Sequence, residues 1–354
     1  MRILVLNPGS ATLKATVLDP PELEPRFDRT VSWDPGGGGE ARAGAIDEAL
    51  AEAARAGIPA SSIEAVGYRV VHGGLRFTRA ARIDDDVLDD IASLADLAPL
   101  HQPLAVETIR HARTRLTEAV HVASFDTAFH ASLPDVDWRY PVPEDWWLEH
   151  GIRRYGFHGL SVAWALRRAA ELLDRPAGGL RIVVAHLGGG ASVTAVDGGR
   201  SVHTSMGMTP LEGLMMGTRS GSIDPGLILR LARAGMAIDE LEDALEHRSG
   251  LLGVSGRTGE MKMLLAAESD GDEAATLAIA MYISRAAAGI AAAATHLARL
   301  DALVFTGGIG EHATTVRERI VERLAVLVEP RVVVIGARED VVISGEAEAV
   351  VSKR

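Results

Sequence analysis

Two arginines, an aspartate, a histidine and three glycine turns supply the residue types with which this chain could do chemistry. Arg219 lies in Thr218-Arg219-Ser220-Gly221, with Asp224-Pro225 just beyond, so a cation and several hydroxyls follow a helix-breaking segment. Charge on such a loop usually meets a ligand rather than a core. Arg69 sits near the exit of the apolar run Val66 to Val71. An arginine facing inward from a strand is rare without an anion, a structural salt bridge being the other reading. Asp126 stands just beyond the apolar run Val120 to Phe125, where open α/β sheets place ligand-binding and metal-binding carboxylates; it could equally cap a helical segment running to His130. His158 occupies the glycine-flanked stretch Tyr155-Gly156-Phe157-His158-Gly159 ahead of an Ala-rich helix, a setting in which a lone histidine is more often structural than catalytic.

The elements that position these groups follow from the glycine turns. IVVAHLGGGASVTAVDGG reads as strand, turn at Gly188, Gly189 and Gly190, strand, tight turn. Glycines there permit positive φ and remove every Cβ, so a polyanion can approach the backbone N–H groups; an ordinary glycine-rich hairpin is the plainer alternative. The same grammar occurs about 180 residues earlier in ILVLNPGSATLKATVLD. Two matching hairpins predict a duplicated α/β fold whose two domains face each other across a cleft. A third turn, VFTGGIGEH, leaves an apolar strand for a helix and is not the GxGxxG fingerprint. Between these motifs the spacing predicts a strand near Thr30 to Trp33, a flexible loop over Gly36 to Gly39, helices over Ala41 to Ala56 and Asp86 to Leu97, and an Ala-rich helix around Leu277 to Leu300.

Composition narrows the function. The 354 residues, 47% hydrophobic and 24% charged, suit two domains with a sizeable core. A net charge of −12 argues against a nucleic-acid partner, because no basic stripe is present to displace counterions. The absence of cysteine excludes disulfides, a thiolate nucleophile and Cys-ligated metals and fits a reducing compartment, so a cytoplasmic setting is expected. The sequence enters its first strand without a charged leader, which predicts no signal peptide. The apolar helix is interrupted by Arg285 and His296 and is expected to pack in the protein rather than cross a membrane. The 12 histidines show no HExxH or paired-ligand spacing, so the sequence predicts no zinc site.

Strand-turn-strand phosphate loops with a third glycine motif resemble the sugar kinase, heat-shock ATPase and actin superfold. More specifically, NPGSATLK, YRVVHGG, APLHQP, FDTAFH, RRYGFHG, HLGGGAS, TSMGMTPLEGLMMGTRSGSIDPG and FTGGIGEH, in this order, resemble the acetate kinase family from Met1 to about Arg319. The resemblance implies ATP- and Mg²⁺- (or Mn²⁺-) dependent phosphoryl transfer to acetate or another short-chain carboxylate. It implies that Arg69 and Arg219 hold the carboxylate and the phosphoryl group, that His158 donates to the phosphoryl oxygens, and that Asp126 sits by metal and substrate. Asn7, Ser10, Thr12 and Lys14 would line the phosphate and metal side of the first hairpin. His186, Leu187 and Gly188 to Gly190 would cradle the donor phosphates, while Gly308, Ile309 and Gly310 would flank the adenosine. Val71, Leu100, Phe157 and Pro210 would form the acyl pocket. A homodimer formed through the second domain is also implied, as are an N-terminal actin-like domain over 1–130, rejoined by a tail at 348–354, and a C-terminal domain over 131–347.

The chemistry fits these residue types. A carboxylate is ionised at neutral pH, so its kinase needs no strong base; the obstacle is bringing two anions together, and arginines, a donating histidine and Mg²⁺ answer it. The chain departs from the family pattern at several places. Gly189 replaces the usual Asn, Tyr68 precedes Arg69 where His is usual, and Pro8, Ala11 and Thr12 alter the first hairpin. Glu260-Met261-Lys262 stands for Asp-Phe-Arg in the adenosine segment. By spacing, the Asn-Glu-Glu triplet of the family falls near Glu346-Ala347-Glu348, making Glu348 the second metal candidate with Asn7, and the helix that should follow it is expected to be almost missing. Alternatives are a propionate-directed or pyrophosphate-dependent member of the family, and a nucleotide-binding regulator without turnover.

Overall fold

The computed structural model describes residues 1–9, 11–34, 37–99, 101–326 and 330–353; Ser10 and Leu100, both named above as candidates, lie outside the described residues. The chain divides into two compact units, Met1–Ala131 with Arg338–Arg354, and Ser132–Ala337.

Among the described residues, the first unit carries a six-stranded sheet in the order β3-β2-β1-β4-β6-β5, formed by β1 (Ile3–Pro8), β2 (Thr12–Leu18), β3 (Phe27–Ser32), β4 (Ala65–Val70), β5 (Ala81–Arg82) and β6 (Val120–Phe125). Ile3 to Leu6 are all buried because β1 is central, paired antiparallel to β2 and parallel to β4; both faces are covered and the sequence is a continuous apolar run. β2 alternates at its start, with Leu13 and Ala15 buried and Thr12 and Lys14 partly exposed. The turn between β1 and β2 closes with Gly9 N–H donating to Thr12 O at 2.7 Å.

Among the described residues, the second unit carries a five-stranded sheet, β11-β10-β7-β8-β9, from β7 (Arg181–Leu187), β8 (Ala191–Asp197), β9 (Arg200–Thr204), β10 (Ala302–Thr306) and β11 (Val332–Val334). Read from β9, its order repeats that of the first sheet from β3. In each, two antiparallel pairings (β1/β2 and β2/β3; β7/β8 and β8/β9) are followed by two parallel ones (β1/β4 and β4/β6; β7/β10 and β10/β11). The duplication expected from the two hairpins is therefore present in the topology.

Two helices bear on the sequence reading. The Ala-rich helix runs Glu273–Ala294; Asp272 caps its start by accepting from Ala275 N–H at 2.8 Å. By length and composition it could cross a membrane, yet one face, including Ile279, Tyr282, Ile283 and Ile290, is buried within its unit. The second is Glu339–Ser352, fourteen residues packed on β1, β4 and β6. Glu346-Ala347-Glu348 therefore lies inside this helix, with only residues 349–352 following it, instead of preceding a helix as the sequence reading placed it. A Cβ on Gly67 of β4 would lie 2.5 Å from Ile343 Cγ2, so a glycine there is what lets the helix seat on the sheet. The segment rejoining the first unit therefore begins at Arg338, ten residues before the expected 348.

Candidate active site

In the first unit, β4 and β6 run parallel with Arg69 opposite Ser124, which brings Arg69 beside Asp126 just past the end of β6. Arg69 Nε donates to Asp126 Oδ1 at 3.1 Å and Nη2 to Oδ2 at 2.7 Å, a two-pronged contact with a carboxylate that is 2% exposed. Its Nη1 lies 3.4 Å from Glu339 Oε2, and the same oxygen accepts from Asn7 Nδ2 at 3.3 Å. Burial opposes the Arg69 charge, but Asp126 and Glu339 outweigh it and raise the guanidinium above its ordinary value. Asp126 is thus engaged with a cation and is poorly placed to accept a proton. Glu339, not Glu348, is the carboxylate that meets Asn7. Glu348 lies nine residues further along the helix, about 13 Å by helical rise. Lys14 forms a half-exposed pair with Asp28 at 3.4 Å.

In the second unit, the turn between β7 and β8 is built from Gly188, Gly189 and Gly190, closed by Gly188 N–H donating to Gly190 O at 2.9 Å. His158 precedes the helix Gly159–Leu172 at φ 58°, a left-handed conformation uncommon outside glycine. Its Nδ1 is 2.9 Å from Ser192 Oγ, and its ring stacks on His186 at 4.1 Å. His186 is in turn 2.8 Å from Ser161 Oγ. A Cβ on Gly190 would lie 3.4 Å from His158 Nε2 and 3.7 Å from Arg219 Nη1, so the imidazole and the guanidinium converge on the space that a side chain at 190 would fill. Arg219 Nε is 2.9 Å from Glu246 Oε2, both side chains being largely buried, which fixes the guanidinium. A Cβ on Gly188 would come 3.8 Å from Gly308 N, which brings the third glycine motif, now the helix Gly307–His312 after β10, to the same turn.

The remaining candidates are placed less centrally. Gly217 N–H donates to Gly189 O at 3.2 Å, and a Cβ on Gly217 would lie 3.1 Å from Gly259 O, so the segment Glu260, Met261 and Lys262 starts beside the loop that carries Arg219. Met261 is buried, leaving Glu260 and Lys262 as the exposed members of that segment. Val71 is half-buried past the end of β4 in the first unit; Phe157 is 1% exposed and Pro210 half-buried in the second. Sequence reasoning missed Glu339, Glu246, Ser161 and Ser192, which hold Arg69, Arg219 and the two histidines. It also missed Arg154, whose Nη1 donates to the carbonyls of Thr204, Ser205 and Met206 and whose Nη2 reaches Glu212 at 2.7 Å, fixing the strand-to-loop passage ahead of Arg219.

Known proteins resemble this chain over most of its length. The sequence profile of the acetokinase family matches residues 37–351. An acetate kinase of Deinococcus radiodurans is 47% identical, the match covering 92% of this chain and 86% of that protein. The crystal structure of a propionate kinase from Francisella tularensis superposes with a TM-score of 0.90 at 34% identity, covering 98% of this chain and 99% of that one. The acetate kinase of Porphyromonas gingivalis gives 0.89 at 31% identity, covering 99% of each chain. With the duplicated actin-like topology and the residues gathered around Arg69 and Gly190, these matches establish that the chain belongs to the acetokinase family.

Proposed function

We propose that this enzyme transfers a phosphoryl group reversibly between ATP and acetate, giving acetyl phosphate and ADP. The observation that carries the reading is the convergence of His158 and Arg219 on the side-chain-free turn at Gly190. Phosphates approach a turn without Cβ atoms closely, and an imidazole with a fixed guanidinium supplies donors for the charge on a phosphoryl group in transfer. Arg69 takes the acceptor carboxylate. Asp126 and Glu339 orient its guanidinium, and neither need act as a base because the substrate is already ionised. Val71, Phe157 and Pro210 are assigned to the acyl pocket, with Leu100. Gly308, Ile309 and Gly310 are assigned to the adenosine, and Glu260 and Lys262 are the exposed groups that would meet it from the neighbouring segment.

Mg²⁺ suits the residues around Asn7. With Asn7 Nδ2 donating to Glu339, the Asn7 amide oxygen and the Glu339 carboxylate offer hard oxygen ligands of the kind Mg²⁺ requires. When bound, the ion neutralises phosphate charge as the two anions meet. We assign the metal role to Asn7 and Glu339 in place of Glu348. A homodimer formed through the second unit belongs to the same reading and is supported by the exposed Leu277 and Met281 on the helix Glu273–Ala294. The cytoplasmic assignment is supported by the cysteine-free composition.

Propionate is the second acceptor to consider, given the 34% identical propionate kinase. A hydroxylamine-trapping assay with acetate, propionate and butyrate, each with ATP or pyrophosphate, tests the proposal. Acetyl hydroxamate with ATP is the expected product. Folded protein that gives none with ATP, or turns over only with pyrophosphate, would refute the ATP assignment.

A further inference from the structure

Three side chains outside the reaction site converge in the second unit from distant parts of the sequence. Asp137 lies in the short helix Asp135–Trp138, His203 in β9, and His296 just after the helix Glu273–Ala294. Each offers one ligand atom, and the three atoms lie within 4.8 Å of one another. Asp137 Oδ1 is 2.8 Å from His203 Nδ1 and 3.3 Å from His296 Nδ1. The two imidazoles stack at 4.2 Å with 12° between their planes. The Asp137 carboxylate is 4% exposed, whereas His203 and His296 are 21% and 29% exposed, so the group is closed on one side and open to solvent on the other.

We propose that Asp137, His203 and His296 bind a divalent transition-metal ion of the Zn²⁺ or Co²⁺ type, chemically distinct from the Mg²⁺ of phosphoryl transfer. Two imidazole nitrogens and one carboxylate oxygen make a donor set suited to borderline ions, whereas Mg²⁺ prefers oxygen alone. Around a tetrahedral ion with bonds of about 2.0–2.1 Å, ligand atoms stand about 3.3 Å apart. The observed 3.3 Å to His296 matches that separation, and the 2.8 Å to His203 is the shorter contact that the carboxylate would open to admit the ion. Charge points the same way. Two protonated imidazoles in stacked contact would repel, whereas one ion accepts both in neutral form and balances the buried carboxylate. Arg154, bound to the Asp137 backbone, does not take the carboxylate: its Nε donates to the Asp137 carbonyl and its other nitrogens to the carbonyls at 204–206 and to Glu212. The exposed edge of His296 gives the ion an entry path, and the fourth position is left for water. Bound there, the ion would link three segments from distant parts of the sequence.

The test uses tag-free, metal-stripped protein in excess Mg²⁺, titrated with Co²⁺ and then Zn²⁺, with calorimetry, the visible ligand-field bands of Co²⁺ and the melting temperature as readouts. One equivalent of Co²⁺ should bind with tetrahedral bands, Zn²⁺ should displace it, and both should raise the melting temperature. His203→Ala and His296→Gln should each weaken Co²⁺ binding at least about tenfold, since even partners of ligands contribute that much. His296→Gln alters a residue outside regular structure and decides the matter should His203→Ala fail to fold. Absence of saturable binding by the wild type overturns the proposal. So does wild-type affinity in His296→Gln, or binding lost only in His158→Ala, which would put the ion on the other histidine pair.

Discussion

Replacing Arg219 separates a catalytic from a structural use of its guanidinium. The side chain has three commitments: Nε to Glu246 Oε2 at 2.9 Å, Nη1 donating weakly to Met216 Sδ at 3.8 Å, and the same Nη1 beside the Gly190 turn. If Nη1 stabilises the transferring phosphoryl group, Arg219→Ala should lower kcat/KM on the order of 10³-fold, about 4 kcal/mol of transition-state stabilisation. Arg219→Lys should recover little, because a single ammonium cannot both meet Glu246 and present a second donor at the turn. The structural cost is separate. Arg219→Ala leaves Glu246, 15% exposed, without its cation. An unpaired, largely buried group costs about 2 kcal/mol, roughly 4–8 °C in Tm for a unit of this size. Arg219→Ala combined with Glu246→Ala removes both charges, so Tm should return most of the way while turnover stays low. Glu246→Gln keeps the guanidinium but loosens its aim and should cost on the order of tenfold to hundredfold in kcat. Hydroxamate turnover and melting temperature, measured together across these variants, decide the matter. An Arg219→Ala protein that keeps more than about a tenth of wild-type turnover, or a double variant that regains activity along with stability, would refute the assignment.

Glu339→Gln should raise the Mg²⁺ concentration needed for half-maximal rate by about tenfold or more, and Glu348→Gln should leave it unchanged; the reverse pattern in a Mg²⁺ titration would return the metal role to Glu348. Val71→Ala should shift the acetate-to-butyrate ratio of kcat/KM toward butyrate by about tenfold, within the 1–3 kcal/mol that one methylene commands, and an unchanged ratio would remove Val71 from the pocket. Asp301→Asn should destabilise the protein by about 1.5–3 kcal/mol at neutral pH. Burial works against the Asp301 charge, but Arg175, Arg299 and the Arg181 N–H hold the carboxyl well below its usual range. A depressed carboxylate gives stability that is fully present above its unfolded pKa of about 3.9 and lost as pH falls toward the folded value, so the difference between wild type and variant should close in acid. A gap in urea-unfolding free energy that stays constant down to pH 2.5 or so would contradict that linkage.

The fold was legible where local chemistry repeats. The hairpins around Pro8-Gly9 and Gly188–Gly190 carried the duplication, because alternation and turn glycines are short-range signals. Arg69, Asp126 and Arg219 stood out as polar groups beside strand ends and a glycine turn, whereas His158, structural by its setting alone, was marked only by the resemblance to the acetate kinase family. Their supports were not. Glu246 reaches Arg219 from a helix beyond the loop, and nothing near Arg219 in sequence announces it. Glu339 was missed because the helix Glu339–Ser352, EDVVISGEAEAVVS, contains β-branched residues and a central glycine that read as strand or loop; packing against β1, β4 and β6 overrides that preference. His203 lies 66 residues from Asp137, so no ligand spacing could show their meeting.

The division of the chain has a consequence in time as well as in space. The second unit is one unbroken run, Ser132–Ala337, whereas the first is completed only by residues from Arg338 onward. On the ribosome, the sheet around Gly67 must therefore wait, with the face that the helix Glu339–Ser352 covers left bare, until the whole of the second unit has been synthesised. Nascent chains arrested before residue 338 should yield a protease-resistant second unit and a digestible first one. The first unit, which emerges earliest, would then be the last to become native, and chaperone demand should concentrate on it.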